Sequence, residues 1–466
     1  MKLKTKLLLV GTLVNDAPLL MGTGDGQWVD MEIVRGYGGL PYIPGTALMG
    51  VVRHDYDQSY GLSGQEAEYF FGRGESEAPE GTQSHFVLED ALPLPDSKPQ
   101  VVVRDGIHID GKTGTAVAGA KYAYEILERG CRFGLRGELT VYSWEGRPAI
   151  DPDDAFVSRI VAILHRGIRV GAKTRVGLGR LRSENLALYR FDFPEDGGKW
   201  LHSLDEGVGG LTPYMLPFTS LPAFDGLRVE AEFHLGRSLM IGSPGLKPEG
   251  PDKVHIRSQE ESVIPGTALK GALRHQTERI IHTLRQPDGG MGEGDDVVCQ
   301  SFCQDLFGHV PDREDGAKIS ARASRLRVDE VVLSGESRSE QTRIRIDRFT
   351  GGVQSGALFD EQPIYHHQET VRLILTVAQA QHREVGLILL LLKDLWTGHL
   401  PLGGEIGIGR GLLVGQYAQL DYCRDGEEKR IVMDQRGEEL HFSNRKWAES
   451  CVQEFIEDMT RNEPGA

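Results

Sequence analysis

Two aspartates stand at matching places before a repeated sequence motif and are candidates for chemistry. Asp30 lies 14 residues before Pro44, and Asp252 lies 13 residues before Pro265. Each proline opens a Pro-Gly-Thr sequence, typical of a helix N-terminus whose free amides can bind an anion. A carboxylate beside an anion bound by such amides is unfavourable unless it acts with a cation or a reacting hydroxyl. The placement therefore indicates two sites acting on an anion, with coincidence among 68 acidic residues as the alternative.

The Pro-Gly-Thr sequences favour anion binding at two helix starts. Thr46 and Thr267 are suitable N-cap residues. Cationic side chains follow each start within one or two turns: Arg53, Lys270 and Arg274. Together with the positive end of a helix dipole, they would attract phosphate. The alternative is an ordinary capped helix with solvated cations.

A glycine-rich loop late in each half could contact a phosphodiester backbone through exposed amides. The candidate phosphate contacts in these loops are Gly171, Lys173, Arg175, Gly177, Gly179 and Arg180 in the first half, and Gly407, Gly409 and Arg410 in the second. Each loop follows a predicted helix and precedes a predicted strand, whereas a dinucleotide fingerprint needs the order strand, loop, helix. A dehydrogenase or ATPase is therefore disfavoured, and a closely packed tight turn remains the alternative.

Cys299 and Cys303 form a Cys-x-x-x-Cys sequence near His275, His282 and His309. A structural zinc ion needs four such ligands. The first half has no cysteine in its equivalent stretch, so the favoured interpretation is two reduced thiols on a helix, with structural zinc as the alternative. The odd total of five cysteines fits a reducing compartment, and we expect a cytoplasmic protein.

The motifs recur in the same order in both halves of the chain. Residues 43–54 and 264–275 share nine identities in twelve positions. The opening strand, a Phe-Gly pair, an Arg-rich stretch and the glycine loop also recur. The sequence therefore predicts two copies of one domain, at residues 1–190 and 225–420. Residues 191–224 would be a linker, and residues 421–466 a C-terminal hairpin and helix.

Each copy has the predicted order strand, helix, strands, helix, strand, which is the ferredoxin-like order of an α+β fold. No apolar run reaches the roughly 18 residues that span a bilayer, so we expect no membrane association. The net charge of −16 argues against a broad basic surface. A bound polyanion would instead lie in narrow grooves.

The ordered motifs resemble those of the RAMP superfamily. They are Ile-Pro-Gly-x-x-Leu-Lys-Gly-x-Leu-Arg, Leu-Phe-Gly, Ser-Arg-Leu-x-Val-Asp, Arg-Ile-Asp-Arg-x-Thr-Gly and a final Gly-x-Gly loop. Within that superfamily the chain is most similar to the crRNA-binding backbone subunits of type III CRISPR–Cas effectors, and a fused pair resembles the III-D-like branch. The resemblance covers about 190 residues in each half.

The resemblance implies two tandem ferredoxin-like, RRM-type domains with thumb-like β-hairpin insertions. The thumbs would span about 104–130 and 343–366, with contacts from Arg104, Thr113, Arg343, Arg345 and Thr350. It further implies that Asp30 and Asp252 cleave guide-paired target RNA with a divalent cation, Mg²⁺ being the expected one. The implied partners are crRNA, target RNA and other Cas subunits, and no homo-oligomer is expected.

Two departures and two alternatives accompany the resemblance. Met49 replaces the motif lysine in the first copy, and Glu405 enters the second glycine loop. The chain could be a purely structural backbone with one or both sites inactive. It could also be a RAMP-type endonuclease that processes precursor crRNA, for which His54 and His275 are the candidate acid and base residues.

Overall fold

The computed structural model describes residues 2–24, 26, 28–73, 82–111, 113–143, 153–215, 219–244, 250–285, 293–310, 321–365, 370–437 and 439–461. The chain divides into two compact units. The first comprises 1–110, 114–174 and 178–222, and the second comprises 111–113, 175–177 and 223–466.

The first unit is built on one antiparallel sheet with two helices on one face. Its strands are β1 (Lys2–Asn15), β2 (Phe86–Leu88), β3 (Val101–Ile109), β4 (Ala116–Leu127), β5 (Arg132–Ser143), β6 (Ile168–Arg169) and β7 (Arg180–Asp192). Its helices are α1 (Gly45–Tyr60), α2 (Gly64–Glu66), a π-helical turn (Ala67–Phe71), α3 (Asp153–Arg166) and α4 (Gly197–Asp205). A 3-10 turn spans Thr174–Val176, of which Thr174 belongs to this unit. The sheet order is β2-β5-β1-β7-β6.

Alternation along β1 separates the two faces of this sheet. Leu7 and Leu9 are buried in the main core with residues of α1 and α3, and Leu8 belongs to a smaller cluster on the reverse side. Helix α1 begins at Gly45, a position that requires glycine because the chain there packs tightly against the end of β2. A Cβ at this position would lie 2.2 Å from the carbonyl oxygen of Leu88.

The interval 191–224 contains more than a linker. Strand β7 continues to Asp192, and α4 follows. Trp200 on α4 is buried against Leu8, Tyr189 and Phe191. This helix therefore covers the reverse face of the first sheet.

The second unit repeats the plan with a larger sheet. Its strands are β8 (Gly226–Leu235), β9 (Ser238–Leu239), β10 (Gly242–Pro244), β11 (Lys253–His255), β12 (Arg257–Ser258), β13 (Glu261–Ile264), β14 (Leu326–Val328), β15 (Val331–Leu333), β16 (Ser337–Arg338), β17 (Gln341–Ile346), β18 (Val353–Gln362), β19 (Ile364–Tyr365), β20 (Val371–Ala378), β21 (Leu413–Arg424), β22 (Glu427–Arg436) and β23 (Glu439–Phe442). Its helices are α5 (Gly266–Arg285), α6 (Glu293–Phe307), α7 (His382–Trp396), a 3-10 turn (Ile406–Ile408) and α8 (Arg445–Thr460).

The main sheet of the second unit has the order β14-β20-β8-β21-β22-β23. Its first four strands match β2-β5-β1-β7 of the first unit, so both units have the second-third-first-fourth strand order of a ferredoxin-like fold. The predicted α+β class with tandem ferredoxin-like domains is confirmed.

The C-terminal segment forms the expected hairpin and helix, and both belong to the second unit. Strand β22 pairs with β21, and β23 pairs with β22, so the hairpin extends the domain sheet. Ala448, Cys451 and Phe455 of α8 are buried in the same core cluster as α7. Among the described helices, none is long and apolar enough to cross a membrane.

Each unit also carries a separate β-hairpin inserted before the third strand of its sheet. In the first unit it is the β3–β4 pair, and in the second it is the β17–β18 pair. These hairpins occupy the predicted thumb segments. Position 366, the predicted end of the second thumb, lies outside the described residues.

Candidate RNA interface and cleavage sites

Each candidate aspartate is fixed to the second strand of its thumb hairpin by the same interaction. The backbone amide of Ala123 on β4 donates to Oδ2 of Asp30 at 2.7 Å. The backbone amide of Asp360 on β18 donates to Oδ2 of Asp252 at 2.9 Å. Both aspartates are exposed, and the structure thus places two carboxylates in equivalent positions at the base of two hairpins.

Strand pairing next to the aspartates gives the same correspondence. Met31 pairs in parallel with Tyr124, and Lys253 pairs in parallel with Glu361. Asp30 and Asp252 each precede these pairs by one residue. The equivalence of the two aspartates therefore rests on register as well as on the shared hydrogen bond.

In the first unit an ion pair between Arg35 and Glu125 fixes the chain segment that follows Asp30. The Glu125 carboxylate accepts from the backbone amide of Ile33 at 3.0 Å and from the Arg35 guanidinium at 2.8 Å. The hydrogen bond from Arg35 is the main reason that the pKa of Glu125 lies below its usual range. This carboxylate is therefore ionised at neutral pH and holds the Asp30 segment on β4.

In the second unit the segment after Asp252 is held by a buried histidine, His255, which the offset of 222 between the two aspartates aligns with Ile33. Nδ1 of His255 accepts from the amide of Ile241 at 3.1 Å, and Nε2 donates to the carbonyl of Val263 at 2.9 Å. Burial lowers the pKa of His255 to about 4, because the charged imidazolium would lose its hydration. The neutral ring ties the Asp252 segment to the strand that leads into α5.

The glycine loops correct the repeat alignment by two residues. Positive φ angles occur at Gly171, Lys173, Gly177 and Gly179, and the same spacing occurs at Gly403, Glu405, Gly409 and Gly411. The loop hydrogen bonds agree, since the amides of Gly179 and Gly411 donate to Pro18 and Ser238 respectively. Gly409 thus corresponds to Gly177, and Gly411 to Gly179.

This register changes the roles predicted for several loop residues. A Cβ at Gly179 would lie 2.0 Å from the carbonyl oxygen of Val170, so this glycine permits close packing. Gly179 is buried, and its amide already donates to Pro18, so that amide cannot serve as the predicted phosphate contact. Gly171, Gly407 and Arg180 are exposed, and Arg175 is half-buried.

Arg410 is buried and ion-paired, which contradicts its prediction as an RNA contact. Only 2% of the residue is exposed. Its guanidinium bonds to Glu361 on the thumb strand, donates to Gln341 at 2.8 Å, and lies 3.0 Å from the Glu405 carboxylate. Glu405, expected to weaken RNA binding, is partnered by Arg410 and by Lys253 at 3.3 Å.

The first unit supports its thumb differently at the same place. Lys173 is the positional counterpart of Glu405, and its ammonium lies 4.6 Å and 4.8 Å from the ring centroids of Tyr122 and Tyr124. These tyrosines flank Ala123, the residue that holds Asp30. Lys173 is half-buried on this aromatic pair and braces the thumb strand through cation–π contacts.

The helix starts also differ from prediction. Helix α1 begins at Gly45 after Pro44, so Thr46 lies in the first turn and is not the N-cap. The amide of Gly45 donates to the Asp90 carboxylate at 2.7 Å, so an anionic side chain already lies at this helix end. Helix α5 begins at Gly266, which likewise places Thr267 inside the first turn.

The basic residues of these helices separate into exposed and inward-facing groups. Arg53 is exposed, and Arg274 is half-buried and pairs with Glu278 at 3.1 Å. Lys270 donates to the hydroxyl of Ser324 at 2.5 Å and the carbonyl of Leu326 at 3.1 Å, so its ammonium faces the protein. Its counterpart Met49 packs against the first core.

Within the thumbs, the structure again shifts the predicted alignment by two residues. Asp105 pairs with Ala123 and Thr342 pairs with Asp360, so Gly106 corresponds to Arg343. Arg104 is 5% exposed and therefore belongs to the thumb base instead of a contact surface. Thr113, Arg345 and Thr350 are exposed, and Arg343 pairs with Glu361 at 2.6 Å.

The second thumb ends in an ordered turn. The Asp347 carboxylate accepts from the amides of Phe349 at 3.0 Å and Thr350 at 2.7 Å. The Thr350 amide bond is the main cause that lowers the pKa of Asp347. Phe349, which is 99% exposed, is thereby held at the tip.

Cys299 and Cys303 lie on α6 in the core of the second unit, with 3% and 1% exposure. The hydrogen bond from Cys299, together with burial, raises the pKa of the Cys303 thiol. Among the described residues, no group of three or more His, Cys, Asp or Glu side chains is arranged to hold a metal ion.

Sequence reasoning missed the strand amides of Ala123 and Asp360, which hold the aspartates, and the tyrosine pair and Glu361, which support the same thumb strands. The amides carry no side-chain signal. The Tyr122–Lys173 and Glu361–Arg410 contacts join segments that are far apart in the sequence. Because the motif alignment of the glycine loops was off by two residues, it did not show that these contacts support the same strand in the two domains.

The fold and paired sites thus define a tandem ferredoxin-like protein with two hairpin-anchored carboxylates. The model of the RAMP superfamily matches residues 13–182 and 236–414, which together are most of the chain. The chain belongs to the RAMP superfamily and is a CRISPR-associated RNA-binding protein. Some RAMP proteins are RNA endonucleases. A comparison with curated proteins finds no match to the chain.

Proposed function

We propose that the chain is a crRNA-binding backbone subunit of a type III, III-D-like CRISPR effector that cleaves guide-paired target RNA at two positions. The observation that supports this most is the duplicated site. Asp30 and Asp252 are exposed carboxylates held in one geometry by thumb-strand amides. A family that binds RNA supplies the substrate class, and base pairing with the guide would supply sequence specificity.

The tip of the second thumb supports an interruption of the guide–target duplex. Phe349 is a fully exposed ring on a turn fixed by Asp347. Apolar side chains that enter a base step unstack it and kink the duplex. A thumb inserted in this way would turn one target nucleotide out of the duplex.

Each aspartate has one oxygen committed to the protein and a second oxygen directed elsewhere. Among the described residues, Oδ1 of Asp30 and of Asp252 makes no hydrogen bond. Mg²⁺ is commonly held by one or two carboxylates together with water and substrate phosphate, so a single aspartate fits this cation when RNA is present. The bound cation would neutralise charge on the scissile phosphate. The strand amide would keep the carboxylate in place.

The test is cleavage of a guide-paired target RNA by the assembled complex. Asp30→Asn should remove one product boundary, and Asp252→Asn the other, because the sites are carried by separate hairpins. Asparagine can still accept from the strand amide, so folding and guide binding should persist while the charge is lost. Chelation of divalent metal should stop both cuts, and added Mg²⁺ should restore them.

A matched control is Asp105→Asn. Asp105 lies opposite Ala123 in the same hairpin and pairs with Lys121 at 2.9 Å, so both cuts should remain. A double Asp30→Asn, Asp252→Asn protein that still cuts at both positions would exclude these residues from the chemistry. The chain would then be a structural RNA-binding backbone, or a processing endonuclease of another mechanism.

A further inference from the structure

An exposed tryptophan stands two residues before the first candidate catalytic aspartate. Trp28 is 91% exposed, although tryptophan is usually well buried in folded proteins. Its large apolar surface is left in water at the site where target RNA would be cut. Stacking against a flat aromatic partner would remove much of this apolar surface from water.

The backbone around this ring is fixed to the protein. The amide of Trp28 donates to Oε1 of Glu32 at 2.8 Å. The amide of Asp30 donates to the carbonyl of Ala123 at 3.0 Å, and Oδ2 of Asp30 accepts from the amide of the same residue. The indole and the carboxylate are thus carried by one anchored turn.

The chain segment that carries Asp252 has no aromatic residue at the matching place. The offset of 222 that relates Asp30 to Asp252 places Gly250 at the position of Trp28. Residues 239–256 contain no phenylalanine, tyrosine or tryptophan. The duplication has therefore produced two sites with the same carboxylate and different neighbours.

We propose that Trp28 is a stacking platform for the unpaired nucleobase beside the phosphate cleaved at Asp30. The ligand is an unpaired base of single-stranded RNA, which aromatic side chains bind by stacking with little sequence preference. Holding the base would place the scissile phosphate against the carboxylate. The inference rests on the proposed function, and it makes the first site dependent on base stacking while the second is not.

The first experiment measures both cuts on one target RNA in the assembled complex. Trp28→Ala and Trp28→Leu should each slow the Asp30-dependent cut about tenfold or more, with the Asp252-dependent cut as an internal standard. Trp28→Phe should retain most of the rate because it keeps a ring. Tyr37→Ala removes an equally exposed aromatic from a separate turn and should change neither cut.

An abasic target nucleotide at the displaced position supplies a second arm. It should slow the first cut in the wild-type complex and add little in Trp28→Ala, because both changes remove the same contact. Full additivity, or an unchanged ratio of the two cuts in Trp28→Ala and Trp28→Leu, would overturn the proposal.

A third measurement separates this inference from the proposed cleavage. In an Asp30→Asn complex, 2-aminopurine is placed at successive target positions. One position should be quenched by the indole and should brighten several-fold on Trp28→Ala. If no position responds to Trp28→Ala, the stacking platform is wrong whether or not Asp30 cleaves RNA. If one responds while Asp30→Asn still permits the cut, only the catalytic assignment fails.

Discussion

Replacing Lys270 with methionine should change how the stability of the second domain depends on pH. The Lys270 ammonium is turned into the protein, where it donates to Ser324 and Leu326. Loss of hydration on burial, with repulsion from nearby arginines such as Arg274, lowers its pKa to about 7. Methionine occupies the same place in the first domain, so the substitution has a precedent within the chain.

The sign follows from proton binding in the two states. Well below pH 7, Lys270 is protonated in both the folded and the unfolded state, so its contribution to the free energy of unfolding does not change with pH. Between about pH 7 and the unfolded value near 10.5, the folded amine is neutral while the unfolded one is charged. Unfolding then takes up a proton, and the free energy of unfolding rises by about 1.4 kcal/mol per pH unit.

The expected size is large enough to measure. Between pH 6.5 and 9.5, the wild-type protein should gain about 3 kcal/mol relative to Lys270→Met from this group alone. The neutral amine retains two N–H donors, so both hydrogen bonds survive deprotonation. Relative to wild type, the free energy of unfolding of Lys270→Met should accordingly be most favourable below pH 7, and this difference should disappear as pH rises.

The assay is denaturant unfolding of both proteins across this pH range, followed by tryptophan fluorescence and analysed for the transition of the second domain. The control is Lys393→Met, which removes an exposed lysine from the same domain. Its difference from wild type should not vary with pH in this way. A Lys270→Met difference that is constant from pH 6.5 to 9.5 would refute the assignment of a buried, readily deprotonated amine.

Two further predictions concern basic residues with opposite roles. Arg53→Glu, at an exposed position, should weaken crRNA binding several-fold and reduce the salt slope of binding by about one, measured by titration at several salt concentrations; an unchanged affinity and slope would exclude Arg53 as a phosphate contact. Arg410→Met should destabilise the second domain by about 2–3 kcal/mol in denaturant unfolding, because buried Glu361 loses one of its two guanidinium partners and keeps Arg343. The double change Arg410→Met, Glu361→Gln should recover part of that loss, and equal losses in the single and double variants would contradict the ion-pair account.

The sequence alone determined the duplication, the order of elements and the class of fold. These follow from short local signals: the nine identities in residues 43–54 and 264–275, strand alternation and helical spacing. It also indicated Asp30 and Asp252, because their distance to the Pro-Gly-Thr helix start is nearly conserved between the copies. Hydrophobic periodicity and the spacing of residues are properties of the sequence itself, so these features can be recognised before the fold is known.

Only the tertiary structure decided which of the basic side chains are exposed and which are buried against the protein. The sequence motifs align Arg180 with Arg410, whereas the φ angles and hydrogen bonds of the loops align Arg180 with Leu412. Arg410 itself is buried. Asp30 and Asp252 are held by amides 93 and 108 residues away. The direction of a long cationic side chain and the partner of a carboxylate depend on chain segments brought together by folding, and the spacing of residues along the sequence does not specify them.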